Sequence, residues 1–423
     1  MDGDTTRFRW HRAAHVFDAQ GAEVRAPERT QPGRGVINIP ETPQTEALRS
    51  LFQGDQALDE FCITRMAEPD TQHTPPPIGP ALQCLSSGTT GAPRRIRRTQ
   101  SSWIETFEAN GQMWGLGPDD TTALLGALSH SLTLYAALEA LWLGADLHLL
   151  SALRPDRQLA RLSDAEVTAF YATPSQLALF TTVKIHPGEP RLQSVRLIFV
   201  GGARLEPSLR AEVQALFPMA EIVEFYGASE TSFVTVADKA TSTGSVGQPY
   251  PGVDLDVRDV DGNPVPPGEN GELWVRSPYL FSDYIGSDAA DTRWQDGFLS
   301  VGEIGSIDGN GNLFLAGRKT RMVTVADQNV FPEQIESHLM NIQGITRAAV
   351  LPLPDKLRGN ALTAFVHLED GAPTPAEIIS KVRADLGPLA TPRSIRVLDD
   401  WPCLPSGKTD LQALTALLRE PAR

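Results

Sequence analysis

Positive charge, cysteine and long apolar runs are all scarce in this chain. Its 37 Lys and Arg are outnumbered by 52 Asp and Glu, a net charge of −15. That balance excludes nucleic acid or an anionic membrane as the main partner. Three cysteines, Cys62, Cys84 and Cys403, lie far apart without metal-ligand spacing. They exclude a disulfide scaffold and suit a reducing cytoplasm. The longest apolar run, residues 132–150, is interrupted by Glu139 and Asp146 and reads as a buried helix followed by a strand. The first ten residues carry no apolar signal core, so a cytoplasmic protein without membrane contact is expected.

What is present describes a globular protein: 41% hydrophobic residues, 21% charged and a mean hydropathy of −0.20. A length of 423 residues exceeds one ordinary core and predicts two or three domains. Residues 1–80 are poorly patterned. From 100 to 240 helical and strand patterns alternate, with helices expected over 102–115 and 128–143. Strands are expected near 122–125, 166–171, 194–200 and 222–226. Residues 244–317 read as short β runs (253–257, 271–276, 312–315) between turns. From Lys319 onward, helices at 332–340 and 375–386 interleave with strands near 348–353 and 363–368. The fold class expected is α/β, with a C-terminal α+β unit large enough to fold alone.

The chemistry concentrates in a few short stretches. Residues 85–94 read Leu-Ser-Ser-Gly-Thr-Thr-Gly-Ala-Pro-Arg, with Ser86, Ser87, Gly88, Thr89, Thr90, Gly91 and Arg94. Hydroxyls and glycine-exposed N–H groups in such a span can cradle phosphate oxygens, although the same composition also makes a plain flexible turn. Arg95, Arg97 and Arg98 extend a basic cluster that either attracts polyphosphate or is a solvated strand end. Further on come Gly201-Gly202-Ala203 after an apolar run, Phe-Tyr-Gly-Ala-Ser-Glu at 225–230, Gly302-Glu303, Gly317-Arg318 and Leu-Pro-Ser-Gly-Lys-Thr around Lys408. The last is not a Walker loop: Pro402 stands where that loop needs glycine, and no strand–loop–helix core follows.

In this order and spacing the stretches resemble the adenylate-forming, AMP-binding superfamily of acyl-CoA synthetases, aryl acid ligases, peptide-synthetase adenylation domains and luciferase. The resemblance covers residue 80 to the end. Relatives carry a longer leading segment, so residues 1–80 look reduced. The resemblance implies an N-terminal domain over 1–318, built of helix-flanked sheets with a β-rich subdomain at 244–317, and a mobile C-terminal domain over 319–423. It implies ATP and Mg²⁺ as cofactors and a small carboxylic acid as substrate.

By resemblance, residues 86–91 and Arg94 hold the β- and γ-phosphates, and Gly202-Ala203 lies under the adenine. Tyr226, beside Gly227, stacks on that ring; Ser229 meets the α-phosphate and Glu230 binds the metal. Glu303, where the family has aspartate, and Arg318 hold the ribose. Lys408 reaches the substrate carboxylate and α-phosphate, and Lys319-Thr320 falls at the hinge. Read locally, Glu230 could instead be a helix N-terminal acid. His130, with Gly201 and Gly227, lines the acyl pocket or is a structural histidine. The run Ser131–Tyr135 is uncharged, which favours an apolar or aromatic acid over an α-amino acid.

Asp327 stands where the family has glycine along its thiol tunnel, and an acid there opposes thiol ionisation. Adenylation is therefore better supported than thioester formation; the resemblance implies adenylation followed by transfer to CoA or to the phosphopantetheine of an acyl carrier protein, as in short ligases of secondary metabolism. A non-thiol acceptor, or a non-catalytic nucleotide-binding relative, is the alternative.

Overall fold

A computed structural model describes residues 6–28, 36–65, 79–86, 94–184, 192–237, 241–286, 292–326, 328–355, 357–369, 371–404 and 409–419. These fall into two compact units. The first takes residues up to 86, 94–254 and 275–286; the second takes Leu255–Trp274 and residues from 292 onward.

The first unit contains a nine-stranded sheet. Its centre is six parallel strands in the order Val16–Phe17, Asp146–Leu149, Thr121–Leu124, Ala169–Ala172, Leu197–Val200 and Glu221–Ala228. Ala-Phe-Tyr-Ala and Leu-Ile-Phe-Val are buried throughout, as expected of parallel strands covered on both faces. Antiparallel strands Ser232–Ala237 and Gln248–Pro249 finish one edge, and Glu23–Val24 the other.

Parallel neighbours need crossover helices, and the sequence starts several with proline, whose missing N–H costs nothing in a first turn. Pro155–Asp164, Pro174–Thr181 and Pro207–Leu216 all begin this way. Thr173 and Gln176 close a capping box on the second. Leu159, Leu162, Leu177, Phe180 and Val213 from these helices pack with Phe170, Ile198 and Ile222 from the sheet in one core. The expected strand at 166–171 begins instead at Ala169: Glu166, at φ 47°, closes the turn after the preceding helix.

Helix Ser131–Leu143 is buried on nearly every side. It contacts strands of the large sheet and also Ala81–Ser86 of a second, five-stranded sheet. That sheet runs Asp283–Ile285, Arg94–Thr99, Ala81–Ser86, Glu60–Thr64, Ile37–Pro40. The poorly patterned leader thus supplies two strands of this sheet, in parallel register with each other. Glu60–Thr64 is wholly buried, so it shows no polar–apolar alternation to read.

The second unit holds a six-stranded sheet in which Glu303–Ile307 pairs antiparallel with Leu313–Arg318. Beyond it come a hairpin (Val323–Val325, Gln328–Val330), helix Pro332–Met340 and a three-stranded sheet of Ile345–Asp355, Gly359–Leu368 and Ser394–Val397. One face of this sheet packs Val350, Ala364 and Val366 against Ile335, Leu339, Ile378 and Val382. The other packs Ala349, Leu351 and Phe365 against Leu414 of helix Leu411–Arg419. The helix expected over 375–386 is broken after Leu386 by Gly387, at φ 81° and ψ 174°, and a short second helical stretch follows to Ala390. No helix among the described residues is long and apolar enough to cross a membrane.

Candidate active site

The carboxyl ends of parallel strands are where open α/β sheets bind ligands. Three of the expected segments leave the large sheet there. Thr121–Leu124 leads to His130, Leu197–Val200 into Gly201-Gly202-Ala203, and Glu221–Ala228 carries Tyr226 and Gly227 into Ser229 and Glu230. Glycine is required at two of these places. A side chain at Gly201 would collide with the Phe225 ring, and one at Gly227 with the Ser232 backbone, where a bulge at Tyr226/Gly227 interrupts the hairpin. Gly202 turns at φ 87°, and Ala203 is exposed beside it.

Glu230 lies in a turn between two antiparallel strands, so the helix-terminus reading falls away. The turn is tied on all sides. The Phe281 N–H donates to the Glu230 carbonyl at 2.8 Å, and the Ala228 N–H donates to Thr231 Oγ1 at 3.0 Å. The Tyr284 hydroxyl donates to Glu230 Oε1 at 2.8 Å. The other carboxylate oxygen has no hydrogen bond among the described residues, and no group of three or more metal-ligating side chains exists among them. A half-buried single carboxylate with one open oxygen fits Mg²⁺, which is commonly held by one or two protein carboxylates plus substrate phosphates.

The ring of Tyr284 also lies 5.9 Å from the Arg94 guanidinium. Sequence reasoning missed Tyr284. Its strand, Asp283–Ile285, is three residues long and pairs with Arg94–Thr99.

The basic strand is not the solvated strand end that was one reading of it. Arg97 is buried with its Nε 2.9 Å from Glu60 Oε1. Arg95 donates to Asn38 Oδ1 at 3.2 Å. Arg98, fully buried, donates to Ser102 Oγ and the Ser229 carbonyl, both at 3.0 Å, and to the Tyr279 carbonyl. These arginines tie segments together. His130 occupies the N-cap position of helix Ser131–Leu143, its Nε2 3.5 Å from Arg65 Nη2. Burial, followed by the Arg65 charge, pushes its pKa down, while Glu41 opposes the shift.

In the second unit Glu303 is buried and faces Arg318 directly across the strand pair, Oε1 to Nε at 3.1 Å. Gly302, at φ 77°, leads into this strand, and its carbonyl accepts from the Lys319 N–H at 2.8 Å. Lys319 opens a short 3₁₀ turn, Lys319–Arg321, with its Nζ 3.3 Å from Glu272 Oε2; Thr320 is exposed. Ser86 ends a strand in register with Arg94. Ser87, Gly88, Thr89, Thr90, Gly91, Asp327 and Lys408 lie outside the described residues.

Comparison with known proteins gives the family. The family profile "AMP-binding enzyme" matches residues 7–285, and "AMP-binding enzyme C-terminal domain" matches 334–408. The chain belongs to the AMP-binding, adenylate-forming enzyme family.

It is 30% identical, over 73% of its length, to an uncharacterized acyl–CoA ligase of Bacillus subtilis, covering 64% of that protein. It is 29% identical, over 81% of its length, to a salicyl-AMP ligase / salicyl-S-ArCP synthetase of Mycobacterium tuberculosis, covering 62% of that one. The chain therefore spans less than two thirds of either relative. Its fold matches o-succinylbenzoate CoA synthetase of Bacillus subtilis, solved with its acyl-adenylate intermediate. That match has a TM-score of 0.68 at 24% identity, covering 81% of this chain and 69% of the other.

Proposed function

We propose that the protein is an AMP-forming carboxylic acid ligase. A carboxylate oxygen of the substrate attacks the α-phosphorus of ATP, the bond to pyrophosphate breaks, and an acyl-adenylate forms. Negative charge then grows on the α-phosphate and on departing pyrophosphate, so the reaction needs donors and a cation there. Tyr226 stacks on adenine and Ser229 donates to the α-phosphate. Glu303 and Arg318 hold the ribose, and Lys408 bridges the substrate carboxylate and the α-phosphate. Glu230 would hold Mg²⁺, which when bound neutralises phosphate charge.

The observation that carries this reading is the Glu230 turn, with Tyr226 and Ser229 beside it at the carboxyl end of a parallel strand and one carboxylate oxygen open among the described residues. Domains at 1–318 and 319–423, hinged at Lys319-Thr320, with residues 87–91 on the phosphates and a cytoplasmic setting, belong to the same proposal.

An apolar or aromatic acid is the substrate class, since residues 131–135 carry no charge to hold an α-amino group. The acyl group then passes to a thiol, that of CoA or of carrier-protein phosphopantetheine. A second reading, transfer to an amine or hydroxyl, is favoured by one observation: Asp327 in place of glycine.

Pyrophosphate exchange over aryl, fatty and short acids tests the proposal. Lys408→Ala should suppress exchange while calorimetric ATP binding is retained. Silence of the wild type with every acid would overturn the reading, and equal loss of binding and exchange in the variant would remove the role of Lys408. Mass spectrometry of products with thiol, amine and hydroxyl acceptors separates the two readings. Asp327→Gly should leave exchange intact and shift the preference toward thiols.

A further inference from the structure

Arg98 is a charged side chain with no exposure and no carboxylate within ion-pair distance among the described residues. Burying an unpaired guanidinium is costly unless its nitrogens find hydrogen-bond partners. Here each of the three nitrogens has a partner: Nε donates to Ser102 Oγ, Nη1 to the Ser229 carbonyl and Nη2 to the Tyr279 carbonyl, with the Trp103 ring 5.1 Å away. Burial pushes its pKa down to about 10, which leaves it charged at neutral pH.

The two carbonyls belong to segments far apart in sequence that meet at one residue. Ser229 precedes Glu230. Tyr279 leads through Phe281, whose N–H holds the Glu230 carbonyl, to Tyr284, whose hydroxyl holds the Glu230 carboxylate. An apolar side chain would fill the same space beside Trp103 without linking them.

We propose that Arg98 is a positioning residue: it joins the Ser229 and Tyr279 carbonyls and so fixes the aim of the Glu230 carboxylate toward a nucleotide-bound divalent cation. This rests on the reading of Glu230 as the metal-binding acid. Arg98 forms no ion pair with the Glu230 carboxylate; it acts on it through the turn and through its nearby charge, which Arg98→Lys keeps.

The test uses the full chain and Mn²⁺ as the probe, its binding to the protein–ATP complex followed by electron paramagnetic resonance. ATP binding in EDTA is measured alongside by calorimetry. Arg98→Met should weaken Mn²⁺ binding about 10- to 100-fold, the range usual for residues that orient a metal ligand. Arg98→Lys, still a donor, should recover part of the loss, and metal-free ATP affinity should stay within about twofold in both. If Arg98→Met fails to fold, Arg98→Lys decides, with an intermediate loss expected.

Wild-type Mn²⁺ affinity in the folded Arg98 variants, or equal loss of Mn²⁺ and metal-free ATP binding, would overturn the proposal. Glu230→Gln is the control. If it loses Mn²⁺ affinity while the Arg98 variants do not, the positioning role alone fails. If Glu230→Gln itself binds Mn²⁺ normally, the underlying reading fails.

Discussion

Glu230 of the first unit and Glu303 of the second are the two acids of the proposal above, and their surroundings differ. Glu230 is half-buried, receives a neutral hydroxyl from Tyr284 on one oxygen, and keeps its negative charge uncancelled by any ion pair among the described residues. Glu303 is buried and faces Arg318 at 3.1 Å. A divalent cation needs the first environment, because a carboxylate already neutralised by arginine has little charge left to offer it. Ribose hydroxyls are neutral donors, and for them an oriented acceptor beside a guanidinium is sufficient. On the proposed roles, partners more than residue type set what each carboxylate can hold.

The contrast can be broken by mutation. Glu230→Gln should show the largest effect, slowing pyrophosphate exchange on the order of 10³-fold, since a bound metal contributes several kcal/mol to charge stabilisation. Glu303→Gln should instead raise the KM for ATP about tenfold with kcat nearly kept, as expected for loss of one charged hydrogen bond. A collapse of kcat in both would show that the two acids do the same work. Tyr284→Phe should raise the half-saturating Mg²⁺ concentration about fivefold, the worth of one neutral hydrogen bond, and leave the KM for the acid unchanged. An unchanged Mg²⁺ dependence would remove Tyr284 from the account.

Least catalytic effect is expected at a third acid, Glu139, which is fully buried. It accepts from Asn110 at 2.6 Å and from Tyr171 at 2.7 Å. Burial raises its pKa to about 7, against the pull of those hydrogen bonds. Because the folded pKa lies above the unfolded one, the native state binds the extra proton. Stability is therefore lost as pH rises from about 4.5 toward 7 and beyond. Relative to Glu139→Gln, the wild type should lose on the order of 2–3 kcal/mol between pH 5 and pH 8 in denaturant titrations. A difference that does not vary with pH would contradict this.

Much of this was legible in the sequence, and the physical reasons for the rest are plain. Fully apolar strands such as Leu197–Val200 and proline-started helices such as Pro332–Met340 announce themselves locally. Motif residues Tyr226 to Glu230 were readable because they resemble a motif of the AMP-binding superfamily. The leader strands at 37–40 and 60–64 were not, because each is short and gains its order from a partner distant in the chain.

Arg98 reads as surface charge until one sees that the Ser229 carbonyl, 131 residues away, accepts from it. The Tyr284–Glu230 hydrogen bond, spanning 54 residues, leaves no local trace either. The only sequence hint was four arginines in a strand of six in an otherwise acidic protein, which is more than a phosphate loop requires.

The most direct test is a crystal structure with Mn²⁺ and a non-hydrolysable ATP analogue, the metal located by anomalous scattering. The account predicts the anomalous peak at coordination distance from the open oxygen of Glu230 and the ribose hydroxyls at hydrogen-bond distance from Glu303. A peak at Glu303, or a nucleotide bound with neither acid touching it, would contradict it.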